Sequence, residues 1–237
     1  MLKGEEKMKK VVVLIIASLL LPILFVSPSY AVGTKLYVDP LSVTAGRVGK
    51  LFNITVAVAG VTNLYGFEFK LSYNTTLLNA TAVTLGPLFP SPPKSHEVVN
   101  LINNTAGYVW FAATLLAPET PKTGTGALAT ITFNATYGTI YPQTVECDLH
   151  LYDTMLGDQT AQPIVHDTID GYYAFVPIPG DINGDGVVNI KDMVIVGAAF
   201  GSKPGDLNWD PRADINNDGY VNILDAIIVG INFGATG

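Results

Sequence analysis

The sequence predicts an all-β sandwich of jelly-roll type, followed by a small all-α module of two loop-helix repeats. Three observations carry this. From about Leu36 to Val176 apolar residues recur with period two; from Gly180 onward one motif occurs twice at an offset of 33 residues; and the stiff stretch "PIPG" separates the two regions. The 237 residues are enough for one large domain and one small one.

The N-terminus reads as a leader. Lys3, Lys7, Lys9 and Lys10 precede the apolar run "VVVLIIASLLLPILFV" (Val11 to Val26), and "SYA" (Ser29 to Ala31) has small residues at both positions of a signal-peptidase site. Met8 offers a second start, since "MKKVVVLIIA" is a leader by itself. Pro22 and the "SYA" site favour cleavage over retention as an anchor, so residues 1–31 are expected to be a signal peptide and the protein to be secreted or held at the cell surface. No later run is long enough to span a membrane.

The region 32–176 is expected to be the sandwich. In "LYGFEFKLSY", Tyr65, Phe67, Phe69, Leu71 and Tyr73 alternate with Gly66, Glu68, Lys70 and Ser72. In "LFNITVAV", Phe52, Ile54, Val56 and Val58 alternate with Asn53, Thr55 and Ala57; in "ATITFNAT", Ala129, Ile131, Phe133 and Ala135 alternate with Thr130, Thr132, Asn134 and Thr136. Strict alternation implies one buried and one wet face. "GYVWFAATLL" and "GYYAFV" read as further strands, apolar on both faces. Short strands punctuated by Gly, Pro and Asn, with no amphipathic helix, point to a sandwich. Five sequons, at Asn53, Asn74, Asn79, Asn103 and Asn134, fit export and asparagine glycosylation; Asn53 and Asn134 fall on wet faces.

Residues 177–180 form the linker, and 181–237 the repeat module. "GDINGDGVVNIKDMVIVGAAFG" (Gly180 to Gly201) is matched by "ADINNDGYVNILDAIIVGINFG" (Ala213 to Gly234). In the first copy Asp181, Asn183, Asp185, Val187, Asn189 and Asp192 hold the ligand positions of a twelve-residue calcium loop; in the second, Asp214, Asn216, Asp218, Tyr220, Asn222 and Asp225 do. Calcium wants six to eight oxygens, and alternate positions of a curled loop aim at one centre. Position seven offers only its carbonyl, so Val187 and Tyr220 are tolerated, and Gly186 and Gly219 allow the sharp turn. Aspartate closes each loop where an EF-hand has glutamate, and no helix precedes the loop. "DMVIVGAAFG" and "DAIIVGINFG" suit short helices with a carboxylate near the N-terminus and Gly201 or Gly234 as cap. A unit this small without disulfides rarely folds on its core alone, so two bound calcium ions are expected to supply the missing stability.

Composition narrows the function. Net charge is −7, and about −9 without the leader's four Lys and two Glu, so no basic footprint for nucleic acid exists. The single cysteine, Cys147, rules out an intrachain disulfide.

A duplicated loop and exit helix with no entering helix resembles the type I dockerin of cellulosome-type assemblies. The resemblance implies two calcium-loaded units packed antiparallel, with one helical face docking on a cohesin. Recognition would fall on loop positions ten and eleven, often Ser-Thr in that family; here they are Ile190-Lys191 and Ile223-Leu224, which leaves the partner's identity open. Internal helix packing is the competing role for these four residues. The first region is similar to a cohesin domain: "LYVDPLSVTAGRVGKLFNITVAVAGVTNLYGFEFKLSYNTTLLNATAVTLGPLF" carries the family's opening strand, "AG…G" and "LL.A..V..G.LF" cues, and "GTGALATITFNATYG" its "G.G.LA.I.F" strand.

The leading expectation is a secreted, non-catalytic assembly or adaptor protein working by calcium-dependent cohesin–dockerin contacts in polysaccharide-related complexes. Its partners would be cohesin or dockerin domains of other secreted proteins, docking in trans. The alternative is a carbohydrate-binding sandwich carried by a dockerin. Its platform would come from Trp110, Tyr65, Tyr73, Tyr108 and Tyr152, for which burial in the core is the better expectation. An enzyme needs paired carboxylates in a cleft. Only Asp148, His150, Asp153, Asp158 and His166 cluster in sequence, without a recognisable ligand spacing.

Overall fold

The computed structural model describes residues 33–237, which form one compact unit; the expected leader and its cleavage site lie outside the described residues. Among the described residues eleven strands come first: β1 (Lys35–Asp39), β2 (Ser42–Ala45), β3 (Leu51–Leu64), β4 (Gly66–Ser72), β5 (Leu78–Leu85), β6 (Ser95–Asn103), β7 (Tyr108–Leu115), β8 (Lys122–Ala135), β9 (Val145–Gly157), β10 (Asp167–Ile169) and β11 (Gly171–Phe175). Helices α1 (Ile190–Ala199) and α2 (Ile223–Ile231) follow.

The strands form two sheets, a five-stranded one in the order β10-β1-β3-β8-β5 and a six-stranded one in the order β2-β11-β9-β4-β7-β6. Most neighbours are antiparallel, but β1 pairs with β10 and β2 with β11 in parallel. The period-two residues are what the sheets bury. Ile54, Val56 and Val58 of β3 meet Ala129, Ile131 and Phe133 of β8, and Phe67, Phe69 and Leu71 of β4 come from the facing sheet. Phe52 stacks on Tyr173 at 5.3 Å between centroids, and Tyr73 meets Phe133 edge-on at 5.0 Å. Burial pushes the Tyr173 phenol up to about 12.

Two residues depart from strict alternation. Ala57, expected on the wet face, is buried, because the β3–β8 register shifts between Val56 and Ala57 and the bulge turns it inward. Tyr65, expected inside, sits ahead of β4 and is only half-buried against the core.

Asn104, in the β6–β7 turn, clips the sheets together. Its amide Nδ2 donates to the Ala80 carbonyl of β5 (3.0 Å), and its Oδ1 accepts from Ala80 N (2.9 Å) and the Tyr73 hydroxyl (2.7 Å). Tyr73→Phe removes one neutral hydrogen bond and leaves Ala80 satisfied. Urea unfolding should show a loss of about 1 kcal/mol; a loss several times larger would mean the phenol does more than clip.

The repeat module has its own core. Ile182, Val188, Val196, Ala199, Ala213, Ile215, Val221 and Val229 are buried together, with Trp209 and Ile178 packed against them. All eight are small aliphatics, so little apolar area goes out of water. The linker runs directly into the first loop. Gly46 lies against Ile178 and Gly237, and the Arg47 stem packs so closely on Gly186 that a Cβ there would lie 2.5 Å from Arg47 Cδ. The module therefore sits beside the end of β2.

Candidate calcium loops and docking faces

Each loop is built around its closing aspartate. Asp192 is fully buried; its Oδ1 accepts from the backbone N–H of Ile182 (2.9 Å) and Asn183 (3.2 Å), and its Oδ2 from that of Asn189 (2.8 Å). Asp225 repeats the pattern with Ile215 (2.8 Å), Asn216 (3.2 Å) and Asn222 (2.9 Å). Each is also the third residue of its helix and completes a capping box with the Asn ahead of it. The same carboxylate thus curls the loop and starts the helix.

The opening aspartates are buried too. Asp181 Oδ2 accepts from Gly186 N (2.8 Å) while its Oδ1 is buried without a hydrogen-bond partner. Burial raises the Asp181 carboxyl above the ordinary range; the Gly186 bond opposes this and the Asp192 charge adds to it. In the second loop Asp214 Oδ1 accepts from Asp218 N (3.1 Å) and Oδ2 from Gly219 N (2.9 Å). Asp185 is more exposed; the Lys191 ammonium at 3.2 Å holds it low. Asn183 and Asn216 each accept from the backbone two residues on and donate to Asp185 and Asp218. The carbonyls of Val187 and Tyr220 accept from the amides of Asn189 and Asn222. Asn189 and Asn222 themselves cap the helices, their Oδ1 atoms taking the N–H of Lys191 and Leu224 at 2.8 Å each.

The geometry suits a hard divalent cation. Buried carboxylates are normally paired or ligated, and Asp181 Oδ1 is a buried oxygen with no partner. Among the described residues, no three His, Cys, Asp or Glu side chains form a metal-holding group. The loops offer instead the mixed carboxylate, amide and carbonyl oxygens that calcium prefers.

The four residues at positions ten and eleven, Ile190, Lys191, Ile223 and Leu224, are all exposed at the helix starts. Internal packing is therefore not their role. Core-facing positions six residues after Ile190 and Ile223, nearly two turns on, are taken by Val196 and Val229.

The sandwich contributes a face that the alternation pattern did not single out. On the outer side of the six-stranded sheet, register aligns Met155, Glu68 and Ala112 in one row, and Tyr152, Lys70, Trp110 and Leu101 in the next. The first row borders a cleft of about 460 Å³, with Val98 and Pro163 also on its walls. Val98 sits at a β6 bulge, which breaks the period-two signal that would have marked this strand. In the second row Trp110 donates to Glu68 (2.7 Å), and the Lys70 ammonium lies 5.1 Å from the Trp110 ring centre and 5.7 Å from that of Tyr152. The Asp153 carboxylate, 3.0 Å away, holds the Lys70 amine high. Trp110, Tyr108 and Tyr152 thus face outward, half-buried, while Val109 and Phe111 take the core positions; Tyr73 is in the core as expected.

The acidic run of β9 and the following loop disperses. His150 pairs with Asp170 (2.6 Å), Asp153 with Lys70, Asp158 accepts from Thr160 and Gln162 in its own turn, and His166 meets Thr154 (3.0 Å). The Gln162 and Thr160 bonds lower the Asp158 carboxyl. Asp148 is exposed.

Comparison with known proteins agrees with both parts. Residues 38–170 match the Cohesin domain family and residues 179–232 the Dockerin type I domain family. No curated protein matches the chain. Among solved structures, the chain is similar to a type I cohesin–dockerin complex from Clostridium thermocellum (14% identity, 61% of this chain and 94% of that one, TM-score 0.51). It is also similar to the third ScaC cohesin in complex with the ScaB dockerin from Acetivibrio cellulolyticus (13% identity, 60% and 99%, TM-score 0.51). The seventh ScaB type I cohesin from Pseudobacteroides cellulosolvens is a further neighbour (17% identity, 61% and 93%, TM-score 0.50). Identities this low speak to the sandwich fold alone. The matched families are non-catalytic interaction modules, and the chain belongs to the cohesin family, with a type I dockerin domain following its sandwich.

Proposed function

We propose that this chain is a secreted assembly protein that docks at both ends. Its dockerin, residues 181–237 with one calcium ion in each loop, plugs into a cohesin of another chain; its sandwich, residues 32–176, receives a dockerin. The observation that carries this is the presence of both halves of a docking pair in one chain, each with an exposed apolar surface. Calcium would be held by the oxygens of Asp181, Asn183, Asp185, Val187 and Asp192, and of Asp214, Asn216, Asp218, Tyr220 and Asp225. Asn189 and Asn222, whose side-chain oxygens cap the helices, would reach the ion through water. Polysaccharide-related complexes outside the cell are the setting that the leader and the module pairing favour. A sugar-binding sandwich is less well supported, because Lys70 lies over both outward rings, where a sugar would stack.

The test uses immobilised residues 33–237 and panels of cohesins and dockerins from the same organism, in calcium and in chelator. Calcium should permit capture of at least one cohesin. Asp181→Ala with Asp214→Ala should abolish that capture and leave dockerin capture by the sandwich intact. Failure against every native cohesin and dockerin would overturn the reading.

A further inference from the structure

The five Asn-X-Thr sequons fall into two kinds once the fold is known. Three lie in adjacent strands of the five-stranded sheet: Asn53 in β3, Asn134 in β8 and Asn79 in β5, with Asn79 directly opposite Asn134. The middle residue of each, Ile54, Ala135 and Ala80, is buried in the core. The threonine hydroxyl of each donates to the backbone of a neighbouring segment: Thr55 to Asp39 O (3.2 Å), Thr136 to Thr76 O (3.1 Å) and Thr81 to Thr132 O (3.2 Å). Asn53 Oδ1 accepts from the Thr132 hydroxyl (2.8 Å), and Asn134 Oδ1 is buried without a hydrogen-bond partner.

The other two lie in turns. Asn74-Thr75-Thr76 joins β4 to β5 and is exposed at all three residues. Asn103-Asn104-Thr105 opens the β6–β7 turn, with Asn103 half-buried and the next two residues exposed. In both, the Asn oxygen accepts from the backbone N–H of the sequon threonine, Thr76 at 2.9 Å and Thr105 at 3.2 Å, which closes an Asx turn. Asn103 Oδ1 accepts from Ala106 N as well (2.9 Å). Among the described residues, neither Asn Nδ2 donates to the protein, and neither the Thr76 nor the Thr105 hydroxyl is hydrogen-bonded. The two turns touch: Tyr73 N donates to Gly107 O (2.9 Å), and a Cβ on Gly107 would lie 2.9 Å from Thr75 Cγ2. Asn103 pairs with Tyr108 and Tyr108 with Ser72, so Asn103 stands about 10 Å from the strand end that precedes Asn74.

We infer that Asn74 and Asn103 carry N-linked sugar on the folded chain and that Asn53, Asn79 and Asn134 do not. The inference rests on the export proposed above. A transferase must seat all three sequon residues in its own cleft. A turn can be drawn out for this, whereas drawing out a strand breaks ladder rungs and bares a core residue. The free Nδ2 attacks C1 of the first sugar of a polyprenyl-phosphate-linked oligosaccharide. The N–C1 bond forms as the C1–O bond breaks, the lipid phosphate leaves with the electron pair, and one Nδ2 proton passes to a base. Asn74 is the fuller site, because Asn104, the middle residue of the other sequon, is tied inward to Ala80 and Tyr73.

Peptide mass spectrometry on the protein from its native host tests this, with the N-terminus read from the same sample. Sugar is expected at Asn74 and Asn103, more fully at Asn74, with the other three bare. Thr76→Ala and Thr105→Ala each delete a sequon through an exposed hydroxyl that bonds to nothing in the fold, and each should cost the sugar of its own Asn alone. In a second arm, host membranes with the lipid-linked donor act on unmodified residues 33–237 and on five short peptides, one per sequon. All five peptides should take sugar, the folded chain only at the two turns. Either turn bare in a chain whose leader has been removed overturns the assignment and leaves export standing. A chain kept inside the cell with its leader intact and no sugar overturns both. Strand sequons filled as fully as the turns, or refused as firmly in the peptides as in the folded chain, overturn selection by the fold.

Discussion

Chelating calcium will unfold the chain beyond about Gly180 and leave the sandwich folded. The dockerin buries only eight small aliphatics in its core, while the sandwich buries a continuous cluster from both sheets. Without calcium, Asp181 and Asp192 place carboxylates in buried space, and Asp181 keeps an unpartnered oxygen there. An ion that binds only the folded loop adds its binding free energy to folding. At calcium a hundredfold above the dissociation constant this is about 2.7 kcal/mol per site, comparable to the whole stability expected of so small a unit. Calorimetry in calcium should show two transitions, of which chelator removes the lower. Hydrogen exchange should then find the amides of Val196 and Val229 unprotected and those of Phe69 and Phe133 unchanged. A two-transition melt indifferent to chelator would sink the calcium assignment.

Asp192→Ala combined with Asp225→Ala should unfold the dockerin even in saturating calcium. Each carboxylate accepts three backbone N–H bonds, two from the start of its loop and one that completes the helix cap. Hydrogen bonds to charged groups contribute about 1.5–3 kcal/mol each, and the donors left behind at Ile182 and Ile215 are buried. The loss per loop therefore exceeds what the module can spare. Asp185→Ala with Asp218→Ala is the contrast. Those side chains lie nearer the surface and should weaken calcium binding while leaving a helical signal at high calcium. Far-ultraviolet circular dichroism over a calcium titration separates the two; equal helicity in both double variants would refute a structural role for the closing aspartates.

The parts of the fold that were legible in the sequence are those in which one residue's periodicity decides its environment. Phe67, Phe69 and Leu71, or Ile131 and Phe133, announce a buried face because every second residue is apolar, and they are buried. The duplicated Asp-Asn-Asp spacing was legible because a loop curled on one centre tolerates few residue types. What escaped needed a neighbour. Ala57 turns inward only because of how β3 meets β8. The β6 strand hides behind a bulge at Val98. The cleft joins residues from β4, β6, β7 and β9, none of which bears any local sign of it. Asn189 and Asn222 held ligand spacing in the sequence, yet their oxygens face a helix start, which is visible only once the helix boundary is set.

The two parallel pairings between the first and last strands of the sandwich bear on how it carries tension. The incoming strands β1 and β2 lie beside the outgoing strands β10 and β11, one pair in each sheet, running the same way. A pull on the N-terminal end and on the dockerin drags each pair lengthwise in opposite directions. Such a load strains the rungs of a ladder together, whereas peeling from one end breaks them singly. The β2–β11 ladder, Ser42–Ala45 against Tyr172–Phe175, stands directly before the linker to the dockerin. A pull on the dockerin is therefore shared by two ladders at β11, this one loaded lengthwise with β2 and the antiparallel one with β9.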